Sequence, residues 1–137
     1  MAASILSPSS TVLPNTAAIL GVIPTVLGIY AISRPRGALG LLQFPAPKDP
    51  KAQKLADNLM RIYGGRDLAV GLATLVVWRF AGRRALGWLM VSQMVMPFAD
   101  GWAARLQIGK GAEWMHLPFA AVGLGLGGAL LGLFGGQ

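Results

Sequence analysis

Cysteine is absent from this chain of 137 residues, which excludes a disulfide framework, a thiolate metal site and a cysteine nucleophile. Histidine occurs once. One histidine and two distant aspartates do not make the i,i+3 or i,i+4 ligand pairs of metal sites in helix bundles, so no metal is expected. Only His116 and the methionines could ligate a haem, and no cofactor of any kind is expected. There is no serine–histidine nucleophile signature. GLGLGG (123–128) follows no strand and contains no lysine, so it is not read as a phosphate cradle. Charge is scarce too. Charged residues make up 12% of the chain, where a soluble domain carries about a quarter. Residues 1–33 carry none.

Apolar residues fill the gap, at 54% of the chain. A chain this short cannot hide that much apolar surface in its own core, so the excess must meet lipid. The net charge is +7, which in a soluble chain would suggest nucleic acid. Here the basic residues cluster between apolar runs, where they set topology and touch anionic headgroups. No nucleic-acid partner is expected; the bilayer is.

The expected fold is all-α, an integral membrane four-helix bundle forming a single domain over residues 1–137. A span needs about 20 apolar residues. Candidates cover about 12–33, 60–80, 85–104 and 114–135, separated by RPRG, AGRR and QIGKG. The first lacks the basic leader of a signal peptide and is read as a retained anchor. The long connection, 34–56, contains Pro45, Pro47 and Pro50, which break helix early on. Its apolar part, GALGLLQF, either lies in the interface or folds back toward the bundle. Asp49 reads as an N-cap with Pro50 at the first helical position, so helix two starts near residue 50. Pro97 and Pro118 would bend spans three and four.

Basic residues give an orientation. Arg34, Arg36, Lys48, Lys51, Lys54, Arg105 and Lys110 lie on one side, against Arg79, Arg83 and Arg84 on the other. Both termini are then outside the cytosol. Gly128, Gly132 and Gly136 form a GxxxGxxxG run that suits close helix packing and a homodimer, and Gly123 and Gly127 form a second small-residue pair.

The stretch RIYGGRDLAVGL (61–72) poses the functional question. An ionisable side chain at the bilayer centre costs ~2.5–3.5 kcal/mol, so such residues face the bundle interior, pair, or line water. Asp67, Asp100 and His116 come from three separate spans, yet all fall in the cytosolic half. Gln93, Asp100 and Gln107 are seven apart and share a face with Met96 between them, and Tyr63, Asp67, Gly71 and Thr74 share another. Asp57 and Arg61 make an i,i+4 pair nearer the water. We therefore expect a cytosol-facing polar pocket lined by Asp67, Asp100, His116 and one or both of Arg61 and Arg66. Arg66 and Asp67 point about 100° apart and need not pair with each other. Trp102 and Trp114 sit near the mouth, where indoles favour the interface. Glu113 favours the adjacent helix start through the macrodipole.

Two carboxylates, an arginine and a histidine in a half-dry cavity are acid–base equipment. Burial raises a carboxyl pKa and a nearby arginine lowers it, so two aspartates can be set apart as donor and base. That suits epoxide opening, acid-triggered cyclisation or double-bond isomerisation of a lipophilic substrate. Asp67, Asp100, His116 and Arg66 are the catalytic candidates. Arg61, Tyr63, Gln93, Met96 and Trp102 are the substrate-binding candidates. The rival readings are a non-catalytic membrane scaffold, chaperone or lipid-binding protein, and half of a proton-coupled transporter. Confinement of polar residues to one leaflet argues against the transporter.

RIYGGRDLAVGL, the later FADGW and the histidine at the start of the last span resemble a family of small fungal integral-membrane proteins. That family is classed by a domain of unknown function and has four predicted helices. The likeness runs from about residue 15 to 135 and rests most on Gly65-Arg66-Asp67, then on Asp100-Gly101 and His116. It implies membership among proteins encoded with fungal polyketide-type biosynthetic genes. Some of these are linked to epoxide formation, epoxide opening or ring closure of lipophilic intermediates. A multi-pass protein of the endoplasmic reticulum membrane is the matching location.

Overall fold

The computed structural model describes residues 6–7 and 10–134. Among these the regular structure is helical, with no strand. The helices are α1 (Val12–Ser33), α2 (Pro35–Leu41), α3 (Pro50–Phe80), α4 (Arg83–Gln93), α5 (Val95–Gln107) and α6 (Leu117–Leu130). A 3-10 turn, Ala112–Met115, precedes α6.

Local chemistry sets the boundaries. The Asp49 carboxylate accepts a hydrogen bond from the Ala52 amide at 2.8 Å. With Pro50 at the first helical position, this starts α3 where the sequence places it. At 31 residues, α3 is about 46 Å long. GALGLLQF folds back: α2 buries Ala38 and Leu39 against Ala31 and Met60. It closes with the Gln43 amide donating to the Gly40 carbonyl and the Phe44 amide to the Leu39 carbonyl, both at 3.0 Å. That is a Schellman ending with Gln43, φ +59°, in the left-handed position that glycine usually fills.

Two seams hold the helices together. Gly21 and Gly28 of α1 face Gly71 and Gly64 of α3. A Cβ added at Gly28 would lie 2.6 Å from the Gly64 carbonyl oxygen, and one at Gly64 would lie 2.7 Å from the Gly28 oxygen. Backbone thus touches backbone where the antiparallel helices cross, which only small residues permit. α4 and α6 make a looser second seam. A Cβ at Gly87 or at Gly127 would lie 3.1 Å from the other's carbonyl oxygen. Ala17, Leu86, Met90, Leu126 and Leu130 form the core at that end of the molecule.

Spans three and four differ from expectation. The predicted helix 85–104 is broken at Met94 into α4 and α5. Pro97 has no N–H to offer the Gln93 carbonyl and its ring crowds that carbonyl, so the helix must end four residues upstream of the ring. The Met94 amide instead bonds the Val91 carbonyl at 3.1 Å. The predicted helix 114–135 runs only over Leu117–Leu130. Gly132 has φ +83°, and the Leu133 amide donates to the Gly128 carbonyl at 3.0 Å. Gly132 is therefore a helix terminator. Gly128, Gly132 and Gly136 do not form one helical face: Gly132 lies past the end of α6, and Gly136 lies outside the described residues.

Among the described residues, α1 is the one helix long and apolar enough to cross a membrane by length and composition. α6 is apolar but has 14 residues. α3 has the length, but Arg66, Asp67 and Arg79 lie within its apolar half.

Two helical glycines carry opposite expectations. Gly64→Leu must push α1 away from α3 and is expected to destabilise by about 1–3 kcal/mol. Gly40→Ala, which meets nothing within 4 Å, should raise the melting temperature in detergent slightly, since alanine is favoured over glycine in a helix by about 0.5–1 kcal/mol. Gln43→Gly relieves the left-handed strain and is expected to stabilise by about 1 kcal/mol, read as a rise in that melting temperature.

Candidate functional site

α3 presents Tyr63, Arg66, Asp67, Val70 and Thr74 along one face at helical spacing. These residues line a cavity of about 370 Å³. α5 adds Met96, Pro97 and Asp100, and α4 adds Met90 and Gln93. Leu20, Ile23, Pro24 and Leu27 of α1 make one apolar wall, and Phe119, Val122 and Gly123 of α6 another. The break at Met94 lies at the cavity wall, which Gln93, Met94 and Met96 line, while each glycine seam draws its own pair of helices together.

The polar end of the cavity is organised by one guanidinium. Arg66 Nη1 donates to Asp100 Oδ1 at 2.9 Å and Nη2 to Asp100 Oδ2 at 2.8 Å. This is the bidentate fork that arginine makes with carboxylates. Nε and Nη2 also donate to Asp67 Oδ1, at 3.3 and 3.1 Å. The guanidinium lies over the Tyr63 ring, 4.2 Å from its centroid, and the Tyr63 hydroxyl donates to Asp100 Oδ2 at 3.4 Å. The side chains of Asp67 and Asp100 are 14% and 17% exposed, and that of Arg66 is 33% exposed. Both aspartates therefore share one cation, held between α3 and α5.

The two carboxylates are not equivalent. Both Asp100 oxygens accept hydrogen bonds. On Asp67 only Oδ1 does so, and Oδ2 has no hydrogen-bond partner among the described residues. Arg66 uses four of its five N–H groups: the one on Nε, one on Nη1 and both on Nη2. A second polar station lies about 10 Å along α3, seven residues from Asp67. There Gln93 Nε2 donates to Thr74 Oγ1 at 3.2 Å and to the Val70 carbonyl at 3.4 Å. Thr74 is 1% exposed and gives its proton to the Val70 carbonyl at 2.9 Å.

Of the residues singled out from sequence, Asp67, Asp100, Arg66, Tyr63, Gln93 and Met96 meet at this cavity. His116, Arg61 and Trp102 do not line it. His116 sits in the junction between the 3-10 turn and α6 rather than on the α6 face. Arg61 projects from the other side of α3 and bonds Asn58 Oδ1 at 3.0 Å. It lines a shallow cleft with Arg34, Arg36 and Asp57. Asp57 accepts from Arg36 and Gln53 rather than from Arg61. Trp102 is 69% exposed. Arg66 and Asp67 do pair, although adjacent, because the long arginine side chain curls back while reaching Asp100. Glu113 ties a loop: it accepts from Arg105 and from the Gly111 amide at 2.8 Å. Backbone hydrogen bonds at its own amide and at Gly111, with Arg105 beside it, hold its carboxyl below the usual carboxylate range. Sequence reasoning missed the α1 wall and Met90. α1 is apolar on every side, so periodicity marks no cavity face on it.

Removing the cation alone leaves two carboxylates facing each other. Arg66→Gln is expected to lower the melting temperature more than Asp100→Asn. The double variant should recover part of the loss, with a coupling of order 1 kcal/mol in a double-mutant cycle. Additive losses would mean that the two groups do not interact. No curated protein and no solved structure matches the chain. Residues 21–130 match a domain of unknown function, DUF4267, and the chain therefore belongs to the DUF4267 family.

Proposed function

We propose that this protein is a membrane-embedded acid–base enzyme that opens or cyclises an epoxide, or isomerises a double bond, in a lipophilic intermediate. Secondary-metabolite biosynthesis of the polyketide type is the matching setting. A bundle of four membrane-crossing segments in the endoplasmic reticulum, with the polar end of the cavity toward the cytosol, is part of the proposal. Large apolar side chains that face outward along the helices support it: Ile19, Val26 and Ile29 on α1, Val76 on α3, Phe98 on α5 and Phe119 on α6. In water such a surface would aggregate.

The observation that carries the catalytic reading is the unequal carboxylate pair at the wall of an apolar cavity. Asp100 is bound at both oxygens and anchors Arg66. Asp67 keeps one oxygen free to exchange a proton. In a ring closure, Asp67 would take the proton from a substrate hydroxyl as its oxygen attacks an epoxide carbon. The epoxide C–O bond breaks, and the same proton returns to the new alkoxide. The unused Nη1 N–H of Arg66 would stabilise that alkoxide as charge develops. The product is an isomer of the substrate, so no co-reactant is needed. In the hydrolytic version a water replaces the substrate hydroxyl.

A second reading has a specific observation behind it. Arg66 spends four N–H groups inside the protein, as interhelical glue would in a scaffold or lipid-binding protein. The readings separate on one variant. A deletion strain is expected to accumulate a single lipophilic intermediate. Asp67→Asn expressed at wild-type level should fail to clear it, with turnover down at least 100-fold in microsomes. If Asp67→Asn restores the wild-type metabolite profile, the enzyme reading is wrong. If loss of product instead tracks protein yield across Arg66 and Asp100 variants, the scaffold reading holds.

A further inference from the structure

The cavity has few unspent polar atoms. At the Asp67 station the free polar atoms are one carboxylate oxygen and a single Nη1 N–H. The cation there is already matched by two anions. At the Gln93 station both amide N–H groups are spent on Val70 and Thr74, and Thr74 gives its only proton to the Val70 carbonyl at 2.9 Å. Thr74 Oγ1 also lies 3.4 Å from Gln93 Oε1, so that station closes on itself. Asp67 Oδ2 is thus the acceptor without a hydrogen-bond partner among the described residues, with apolar side chains around it. A ligand carboxylate or phosphate would find no unspent cation and would face Asp67 directly, which is unfavourable in a low-dielectric site. A hydroxyl can donate to Asp67 Oδ2 and accept from the unspent Arg66 N–H without bringing charge.

The route in is sideways. Most residues around the cavity are partly or fully buried. Ile23 and Leu27 on α1 and Phe119 and Val122 on α6 line it and are also exposed. With exposed Pro118 they mark the open side of the cavity, between the α1 and α6 walls, and that rim is wholly apolar. A charged group would have to cross that rim, whereas a neutral chain would not.

We propose that the cavity binds a neutral, hydroxyl-bearing lipophile admitted laterally between α1 and α6, and that it rejects anionic amphiphiles. The inference rests on the cavity being a ligand site, as the proposed function requires, but not on any reaction taking place there. Its test is therefore a binding test. Full-length protein in nanodiscs is photolabelled with three alkyl diazirine probes of one chain length, ending in a primary alcohol, its methyl ether or a sulfonate. Adducts are mapped by mass spectrometry. The alcohol is expected to label cavity residues saturably, at least tenfold more than the ether, which lacks the donor, and the sulfonate, which is charged at any pH. Equal or stronger labelling by the ether or the sulfonate would overturn the proposal. Ile23→Trp and Val122→Trp fill the gap at exposed positions. Each should slow cavity labelling severalfold at unchanged melting temperature, and unchanged labelling in both would overturn lateral admission. Saturable alcohol labelling in a protein whose Asp67→Asn form still yields normal metabolites would leave this inference standing while removing the enzyme reading.

Discussion

The Arg66 guanidinium is the physical constraint on which the rest of the site depends. It is the charged group that joins the polar face of α3 to α5, through a two-point grip on Asp100 and a second contact to Asp67, with the Tyr63 hydroxyl as a neutral second link to Asp100. Without it two carboxylates from different helices would lie together on the wall of an apolar cavity, an arrangement that either pulls in water or forces a carboxyl to keep its proton. With it, three ionisable side chains occupy a region that would otherwise reject each of them. The Tyr63 ring beneath the guanidinium completes the arrangement, since a face-on aromatic ring stabilises a partly desolvated cation.

Cavity and seams are two results of one distribution of small residues. Where glycines face each other, as Gly28 and Gly64 do, backbones come into contact and no room remains. Where the helix breaks before Pro97, the residues of the break line the cavity. The functional side chains fall at the edge between these regimes. Asp67 is three residues from Gly64 and four from Gly71, so the α1–α3 seam fixes its position, while its side chain lines the cavity. Asp100 is followed directly by buried Gly101, where the chain packs near Glu113. Rigid backbone therefore stands behind both carboxylates, as a site holding its geometry without long side-chain struts requires.

Much of this was legible in the residues. Asp49-Pro50 announces the start of α3 because capping is local chemistry. The faces carrying Tyr63, Asp67 and Thr74, and Gln93, Met96 and Asp100, follow from helical spacing and persist across the break at Met94. Other features depend on partners that spacing cannot name. The exact break, three residues before Pro97, reflects the proline's missing bond to residue i−4. Pairing of Arg66 with the adjacent Asp67 depends on a third group, Asp100, drawing the arginine across. That His116 and Trp102 do not line the cavity follows from where α6 begins and from the outward, exposed position of Trp102 on α5. The α1–α3 glycine seam was invisible because α1 is apolar all round, whereas the conspicuous run at Gly128 and Gly132 contains a helix terminator.

The central claim is that Asp67 presents a free carboxylate oxygen to an apolar, lipid-reachable cavity while Asp100 does not. Hydrophobic carbodiimides modify protonated carboxyls in such surroundings, so the measurement is site-resolved mass spectrometry of protein treated with dicyclohexylcarbodiimide in lipid. Asp67 should be modified preferentially, and a long-chain alcohol should protect it. Modification of Asp100 to the same extent, or of neither aspartate, would show that the two carboxylates are equivalent or sealed, and the functional account built on their difference would fall.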